Sequence, residues 1–156
     1  MKQEQLKSIT LTYEETFLMG RWIMDALLHG QELRSRAKMI PVLNERLASI
    51  EPDRLEIIKK YAELDKKTKE PVLEGNNYKL KDPAGFEKEY HELLNKTTFT
   101  FDVLPSNSAD WNSLKSIMLN LNKDFNYNDG ITYTNICDKL ENKSDLVKDI
   151  EKKLDK

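Results

Sequence analysis

Histidine and cysteine, the side chains that most often bind transition metals or act as nucleophiles, are scarce in this chain. The two histidines, His29 and His91, have no second histidine, cysteine or carboxylate at a ligand spacing, so we interpret them as structural or surface residues. The single cysteine, Cys137, would act as a nucleophile only if folding brought a histidine beside it. Its spacing with Ile136 and Leu140 instead predicts a packed thiol.

One loop has part of the pattern of an EF-hand calcium site. Asp124, Asn126 and Asn128 stand where such a loop has its first three oxygen ligands. Asp129 occupies the place of the invariant glycine, and Asn135 that of the bidentate glutamate, so the strongest ligand is missing. We therefore interpret the segment as a turn rich in Asn, Asp and Gly.

The sequence contains no recognisable acid–base pair or glycine-rich phosphate-binding loop. No two glycines have the spacing of such a loop, and Glu87, Glu89 and Glu92 alternate with lysines as on a solvated helix face. We predict a protein that is not an enzyme and has no cofactor and no metal. A small metal-dependent hydrolase or nuclease is a distant alternative, which clustering of Asp124, Asp129 and a histidine would support.

Four residues are predicted to contact a partner protein: Trp22, Arg34, Arg36 and Lys38. Trp22 lies off the main apolar stripe of its predicted helix, so a second interface and packing at the edge of the core fit it equally well. Arg34 and Lys38 share the outer face of the next helix, whereas Arg36 falls on its apolar side. They form either a site for an anion or acidic partner, or a solvated face beside an Arg36 that reaches past the core.

Composition places the chain among intracellular globular domains. Its 25 Lys and Arg against 27 Asp and Glu give a net charge of -2, and nucleic-acid binders usually have a basic excess. Nucleic acid is therefore an unlikely partner. One cysteine allows no internal disulfide, and the N-terminus has no apolar signal core, so we expect a cytoplasmic protein. The longest apolar stretch is too short and too interrupted to span a membrane.

The elements that must position these residues predict an α+β fold, predominantly α, with one domain over 1–141 and a charged, frayed helix over 142–156. Two long antiparallel helical segments are expected at 13–29 and 32–64, the first begun by a Thr12–Glu15 capping box and ended at Gly30. Alternating and turn-bounded residues predict a small antiparallel sheet from 8–13, 77–81 and 98–103. Further helices are expected at 82–96, 108–121 and 131–140.

The segment 32–64 carries a heptad-like seam. Apolar residues fill eight of ten positions, which are Leu33, Arg36, Ile40, Leu43, Leu47, Ile50, Arg54, Ile57, Tyr61 and Leu64. This pattern, with the wide apolar arc of the first helix, makes a homo-oligomer a reasonable expectation. Pro41 predicts a kink. Pro52 is compatible either with a break or with the restart of a helix.

Several stretches resemble a family of small proteins encoded by phages and prophages of Gram-positive bacteria, for which no activity is established. They are Leu27-Leu28-His29-Gly30 with Arg34-Ser35-Arg36; Leu43, Leu47 and Ile50; Lys60 to Asp65; Pro71 and Tyr78; Phe86 to Leu94; and Tyr133 to Glu141. The match covers about residues 15–141. The first strand and the segment 144–156 are less typical of it. The resemblance implies a viral protein in a bacterial cytoplasm and transfers no functional residues.

Together these features predict a non-enzymatic phage accessory protein that binds, and inhibits, a host protein such as an anti-phage defence or replication factor. The alternative is a virion or tail-module component, or an assembly factor for one. An oligomer built on the long seam would favour that alternative.

Overall fold

The structure, a computed structural model, describes residues 8–142, and it has the predicted α+β, mainly α architecture. The elements in this range are β1 (Ser8–Thr12), α1 (Tyr13–Asp25), α2 (Gly30–Ala48), α3 (Glu51–Tyr61), β2 (Leu73–Glu74), β3 (Asn77–Tyr78), α4 (Pro83–Lys96), β4 (Thr98–Asp102), α5 (Ser108–Leu119) and α6 (Tyr127–Leu140). Each helix of this range is too short or too polar to cross a membrane. The charged helix predicted over 142–156 lies, apart from Asn142, outside the described residues.

β1 and β4 form an antiparallel pair whose inner face belongs to the core. Successive side chains of a strand point to opposite faces, and the alternation in both strands follows this rule. The inward residues Ile9, Leu11, Phe99 and Phe101 are buried. On the outer face the hydroxyls of Thr10 and Thr100 are hydrogen-bonded at 2.9 Å.

At one end of this pair, both strands join a helix with almost no linker. Thr12 ends β1 and is also the N-cap of α1: its hydroxyl accepts from the Glu15 amide at 3.1 Å, and the Glu15 carboxylate accepts from the Thr12 amide at 2.8 Å. This confirms the predicted capping box. α4 ends one residue before β4, and the Tyr13 amide donates to the Thr97 carbonyl at 3.0 Å. The start of α1 is therefore fixed beside the end of α4.

The prediction of a three-stranded sheet is wrong. β2 and β3 form a separate hairpin around Gly75, whose φ of 64° suits glycine. Within the segment 77–81, Leu80 forms an isolated β-bridge with Ala62, which follows α3. A second bridge joins Leu64 to Pro71. The hairpin strands have two residues each and are largely exposed, so they offer no apolar face to the β1–β4 pair.

The first helix ends at Asp25 and not near His29, and α2 begins at Gly30. The last carbonyls of a helix have no partner within it. Here Arg36 supplies one, because its Nη1 donates to three carbonyl oxygens at the end of α1: Ile23 at 3.2 Å, Met24 at 3.4 Å and Ala26 at 2.7 Å. The connection 26–29 leaves the helix at that point.

The predicted long helix is two helices, divided at Ser49 and Ile50. Pro52 accounts for the division, since in a continuous helix its ring would clash with the carbonyl of Ala48, the last residue of α2. Pro41 lies inside α2, which continues through it. The seam is divided as well: Leu43 and Ile50 are buried in the chain's own core, whereas Leu33 and Leu64 are exposed.

A buried hydrogen bond joins α2 to α5. The Ser35 hydroxyl donates to the Asp110 carboxylate at 2.8 Å, and the two residues are only 0% and 8% exposed. Gln31 also donates to the Ser35 oxygen at 3.3 Å. A buried carboxylate without a donor is costly, so this contact sets how α2 and α5 align.

We predict that Ser35→Ala lowers the free energy of unfolding by about 1–3 kcal/mol, because it removes the donor to a buried carboxylate. Urea denaturation measures the change. Ser49→Ala is the matched control: within residues 8–142 its hydroxyl bonds only to the carbonyl of Arg46, three residues earlier in the chain, and a change below about 0.5 kcal/mol is expected. Equal losses for the two variants would show that the link to Asp110 contributes nothing.

Gly20 of α1 and Gly85 of α4 should respond in opposite ways to alanine. A Cβ at Gly20 would meet Leu43 at 3.7 Å, an ordinary contact, so Gly20→Ala should stabilise by about 0.5–1 kcal/mol. A Cβ at Gly85 would lie 2.4 Å from Asp82 Oδ2 and 2.8 Å from the Tyr61 ring. Gly85→Ala should therefore destabilise by about 1–2 kcal/mol through the displaced cap and overpacking. Stabilisation by both substitutions in thermal unfolding would contradict the close approach of α3 to α4.

Candidate binding groove

A groove of about 380 Å³ lies between the first turns of α1 and the last turns of α4. Four residues of each helix line it: Tyr13, Glu14, Phe17 and Leu18 of α1, and Tyr90, His91, Leu94 and Asn95 of α4. We call it the aromatic groove. Its lining is apolar with a few polar groups, the composition typical of sites that bind a ligand or an anchoring side chain.

The orientation of α1 decides which residues face the groove. Glu15 is only 5% exposed, and its carboxylate, which already caps α1, also accepts from Lys139 Nζ of α6 at 2.5 Å. This pair fixes one side of the first turn of α1 against α6. Phe17, about 200° around the helix from Glu15, and Glu14 line the groove instead.

The aromatic rings of the groove pack in pairs along each helix. The rings of Tyr13 and Phe17 are parallel, with centroids 6.5 Å apart, and Tyr13 also meets Phe99 of β4 at 6.3 Å. On α4, Tyr90 stacks on Phe86 at 5.5 Å. Tyr13 and Tyr90 are partly buried, but Phe17 is 46% exposed. Phe17 therefore presents a large apolar surface to solvent inside a concave site.

The polar side chains of the groove are Glu14, the two tyrosines, His91 and Asn95. Glu14 is its one acidic lining residue, no lysine or arginine lines it, and within residues 8–142 Glu14 has no hydrogen bond or ion pair. Burial raises the pKa of Tyr13, and the nearby Tyr90 phenol raises it further, while Arg54 opposes the rise. The charge of Arg54 is balanced by Glu51, which it contacts at 2.6 and 2.9 Å.

Trp22, predicted as a partner contact, is buried at 4% exposure, and this corrects the expectation that it was available for an interface. Its ring packs edge-on against Phe125 at 4.9 Å and Tyr133 at 6.2 Å. The segment that enters α6 therefore covers the part of α1 that the helical wheel left polar. Of the two alternatives open for Trp22, the structure has the packing one.

The three basic residues predicted with Trp22 do not form one site. Arg36 is committed to the carbonyls at the end of α1, so its role is structural. Arg34 and Lys38 are exposed, and neither has an ion pair within the described part of the chain. They remain a short basic face of α2, separate from the groove-lining residues.

The predicted packed thiol is found. Cys137 is buried, and this burial raises its thiol pKa, which opposes formation of the reactive thiolate. Its neighbour Tyr133 donates to the Met118 carbonyl at 2.5 Å, and burial, followed by the contact with Cys137, raises the pKa of Tyr133 to about 12. Within residues 8–142 no group of three or more His, Cys, Asp and Glu side chains is arranged to hold a metal ion.

The calcium-like segment has a structural role at the start of α6. Asn126 is the N-cap, and its side-chain oxygen accepts from the Asp129 amide at 2.8 Å. The helix therefore begins at Tyr127, four residues before the predicted 131.

A second, shallow pocket of about 340 Å³ lies on this turn, where Tyr127 is 83% exposed.

No protein-family model matches the chain, and no curated protein or solved structure resembles it at a significant level.

The groove is not predicted from the sequence, although several of its lining residues lie in predicted helices. Phe17 lies within the first predicted helix, at 13–29, and Tyr90 within the helix predicted at 82–96. The useful signal was the width of the arc, which needs cover on more than one side. His91 lies in the groove, and residues 8–142 place no set of metal ligands around it.

We predict that Cys137 is nearly inert in the folded protein. Its reaction with 5,5′-dithiobis(2-nitrobenzoate) at pH 8 should be on the order of 100-fold slower than in urea, because burial shields the thiol from the reagent and raises its pKa. The absorbance of the released thiolate gives both rates. Comparable rates in the two conditions would show that Cys137 is accessible and would reopen a nucleophilic role.

Proposed function

We propose that this chain is a non-enzymatic binding protein that recognises a partner protein through the aromatic groove. The observation that carries the proposal is the half-exposed ring of Phe17 within a concave site. Aromatic residues are enriched among the anchors of protein interfaces, and a side chain that fills the groove would remove this ring from water. Filling an apolar site in this way is favourable by roughly 25 cal/mol per Å² of buried apolar surface.

The size of the groove fits an anchor point within a larger interface. A volume of about 380 Å³ accommodates one or two large side chains, whereas stable protein interfaces bury roughly 1,200–2,000 Å² in total. The partner would therefore insert a short segment between α1 and α4 and contact the surrounding helix surfaces. The exposed basic face at Arg34 and Lys38 is a further surface available to an acidic region of the partner.

The setting we propose is a phage protein acting in a bacterial cytoplasm, and the partner a host defence or replication factor that the protein inhibits. The resemblance to phage and prophage proteins of Gram-positive bacteria supports the setting. The division of the heptad-like seam weakens the case for the alternative, a self-assembling virion or tail component. Leu43 and Ile50 of the seam are occupied in the chain's own core, so the feature that favoured assembly is not available as one continuous stripe.

Phe17→Ser should abolish capture of the partner, because it removes the exposed anchor ring while changing few contacts of the core. The tagged full chain and the variant would be used to isolate partners from lysates of a Gram-positive host, infected and uninfected, with mass spectrometry as the readout. The matched control is Tyr127→Ser, which removes a more exposed ring from the shallow pocket on α6.

The outcomes separate the alternatives. A host defence or replication protein lost with Phe17→Ser and retained with Tyr127→Ser would support an inhibitor that uses the groove. Capture of virion or tail proteins that is lost with Phe17→Ser and retained with Tyr127→Ser would support the groove as the binding site and overturn the inhibitor role. A partner retained by the Phe17 variant, folded as judged by circular dichroism, would overturn the groove as the binding site.

A further inference from the structure

We infer that the aromatic groove binds an arginine side chain of the partner, flanked by apolar residues. The inference rests on the proposed function and specifies the chemistry of the segment that enters the groove. It is carried by the combination of exposed ring surface, one unpaired carboxylate and the absence of any lysine or arginine among the lining residues.

The ring faces supply the first part of the argument. A cation over the face of an aromatic ring is attracted by the negative potential of that face, more strongly where water is excluded. Three rings line the groove, those of Tyr13, Phe17 and Tyr90. The planar guanidinium of arginine can stack on such a ring and still direct its N–H groups to an acceptor at the edge, which the ammonium of lysine does less well.

Glu14 supplies the acceptor. Its carboxylate lines the groove and has no hydrogen bond or ion pair among residues 8–142. Arg54, which influences both Tyr13 and Tyr90, is already neutralised by Glu51 through two hydrogen bonds. Glu14 therefore contributes an unbalanced negative charge to the groove, and an anionic side chain would find no lysine or arginine among the lining residues.

The helix termini, taken together with Glu14 and Glu15, also favour a cation in the groove. α4 ends at the groove, and the C-terminus of a helix favours a nearby cation. α1 begins there, and its N-terminus favours an anion, but two glutamates already lie in its first turn. One of them, Glu15, is committed to Thr12 and Lys139. Glu14 is left to meet the guanidinium.

The test uses the full chain and three capped tripeptide probes, acetyl-Leu-X-Leu-amide, in which X is arginine, citrulline or lysine. Citrulline has the shape of arginine without its charge. Binding is followed by nuclear magnetic resonance from the backbone amide shifts of the residues that line the groove. We expect the arginine probe to bind about tenfold more tightly than the citrulline probe, and more tightly than the lysine probe.

Two variants locate the preference. Glu14→Gln should reduce the ratio of arginine to citrulline affinity to near one, and Phe17→Leu should reduce it severalfold while keeping an apolar surface. Glu45→Gln, at an exposed glutamate of α2 outside the groove, should leave the ratio unchanged. Thermal unfolding of each variant checks that the fold is retained.

Failure of the inference can be told from failure of the proposed function. Equal binding of arginine and citrulline probes in the groove, or no binding of either, would overturn the arginine preference. Equal or tighter binding of the lysine probe would overturn the choice of arginine. If the arginine preference persists in Glu14→Gln, or if the amide shifts are confined to residues outside the groove, the groove is not the site of the preference. None of these results bears on capture of a protein partner that depends on Phe17, which decides the proposed function by itself.

Discussion

The pairing of β1 with β4 is the constraint on which the groove depends. Each strand is joined to a helix by at most one residue, with α1 following β1 and α4 preceding β4. Antiparallel register places Thr12 opposite Thr98, so the first turn of α1 and the last turn of α4 must emerge side by side at the same end of the pair. The aromatic groove is the space between these two turns that no side chain of residues 8–142 fills.

α1 explains why this opening is apolar. Its arc of apolar residues is wide enough to need neighbours on several sides, and most of those sides are covered. Met19 and Ile23 are buried in the core, Trp22 packs under Phe125 and Tyr133, and Arg36 closes the end of the helix. The remaining side carries Phe17 and faces the groove. An exposed aromatic ring there is therefore the uncovered remainder of a helix that is otherwise enclosed.

Features that depend on neighbours in sequence could be predicted, whereas several features that depend on distant partners could not. The Thr12–Glu15 capping box and the Asp82–Pro83 helix start rest on residues within one helical turn, and both are found. The burial of Trp22 rests on Phe125 and Tyr133, which lie far along the chain. The prediction that 77–81 joins the sheet of 8–13 and 98–103 is wrong for the same reason, because the alternation of a strand does not identify its neighbour. The groove is formed by two helices that are remote in sequence, so no local sequence pattern predicts it.

Glu14 and Glu15 show why the charge of the site could not be assigned before the fold was known. The two residues are identical and adjacent, and both are placed to favour the N-terminus of α1. A rotation of about 100° between neighbouring helix positions sends Glu15 into a buried contact with Lys139 and leaves Glu14 on the groove. Lys139 does not line the groove, but its ion pair neutralises the Glu15 carboxylate inside the protein. Glu14 has no such pair among residues 8–142, so its charge stays on the groove for a cation from outside.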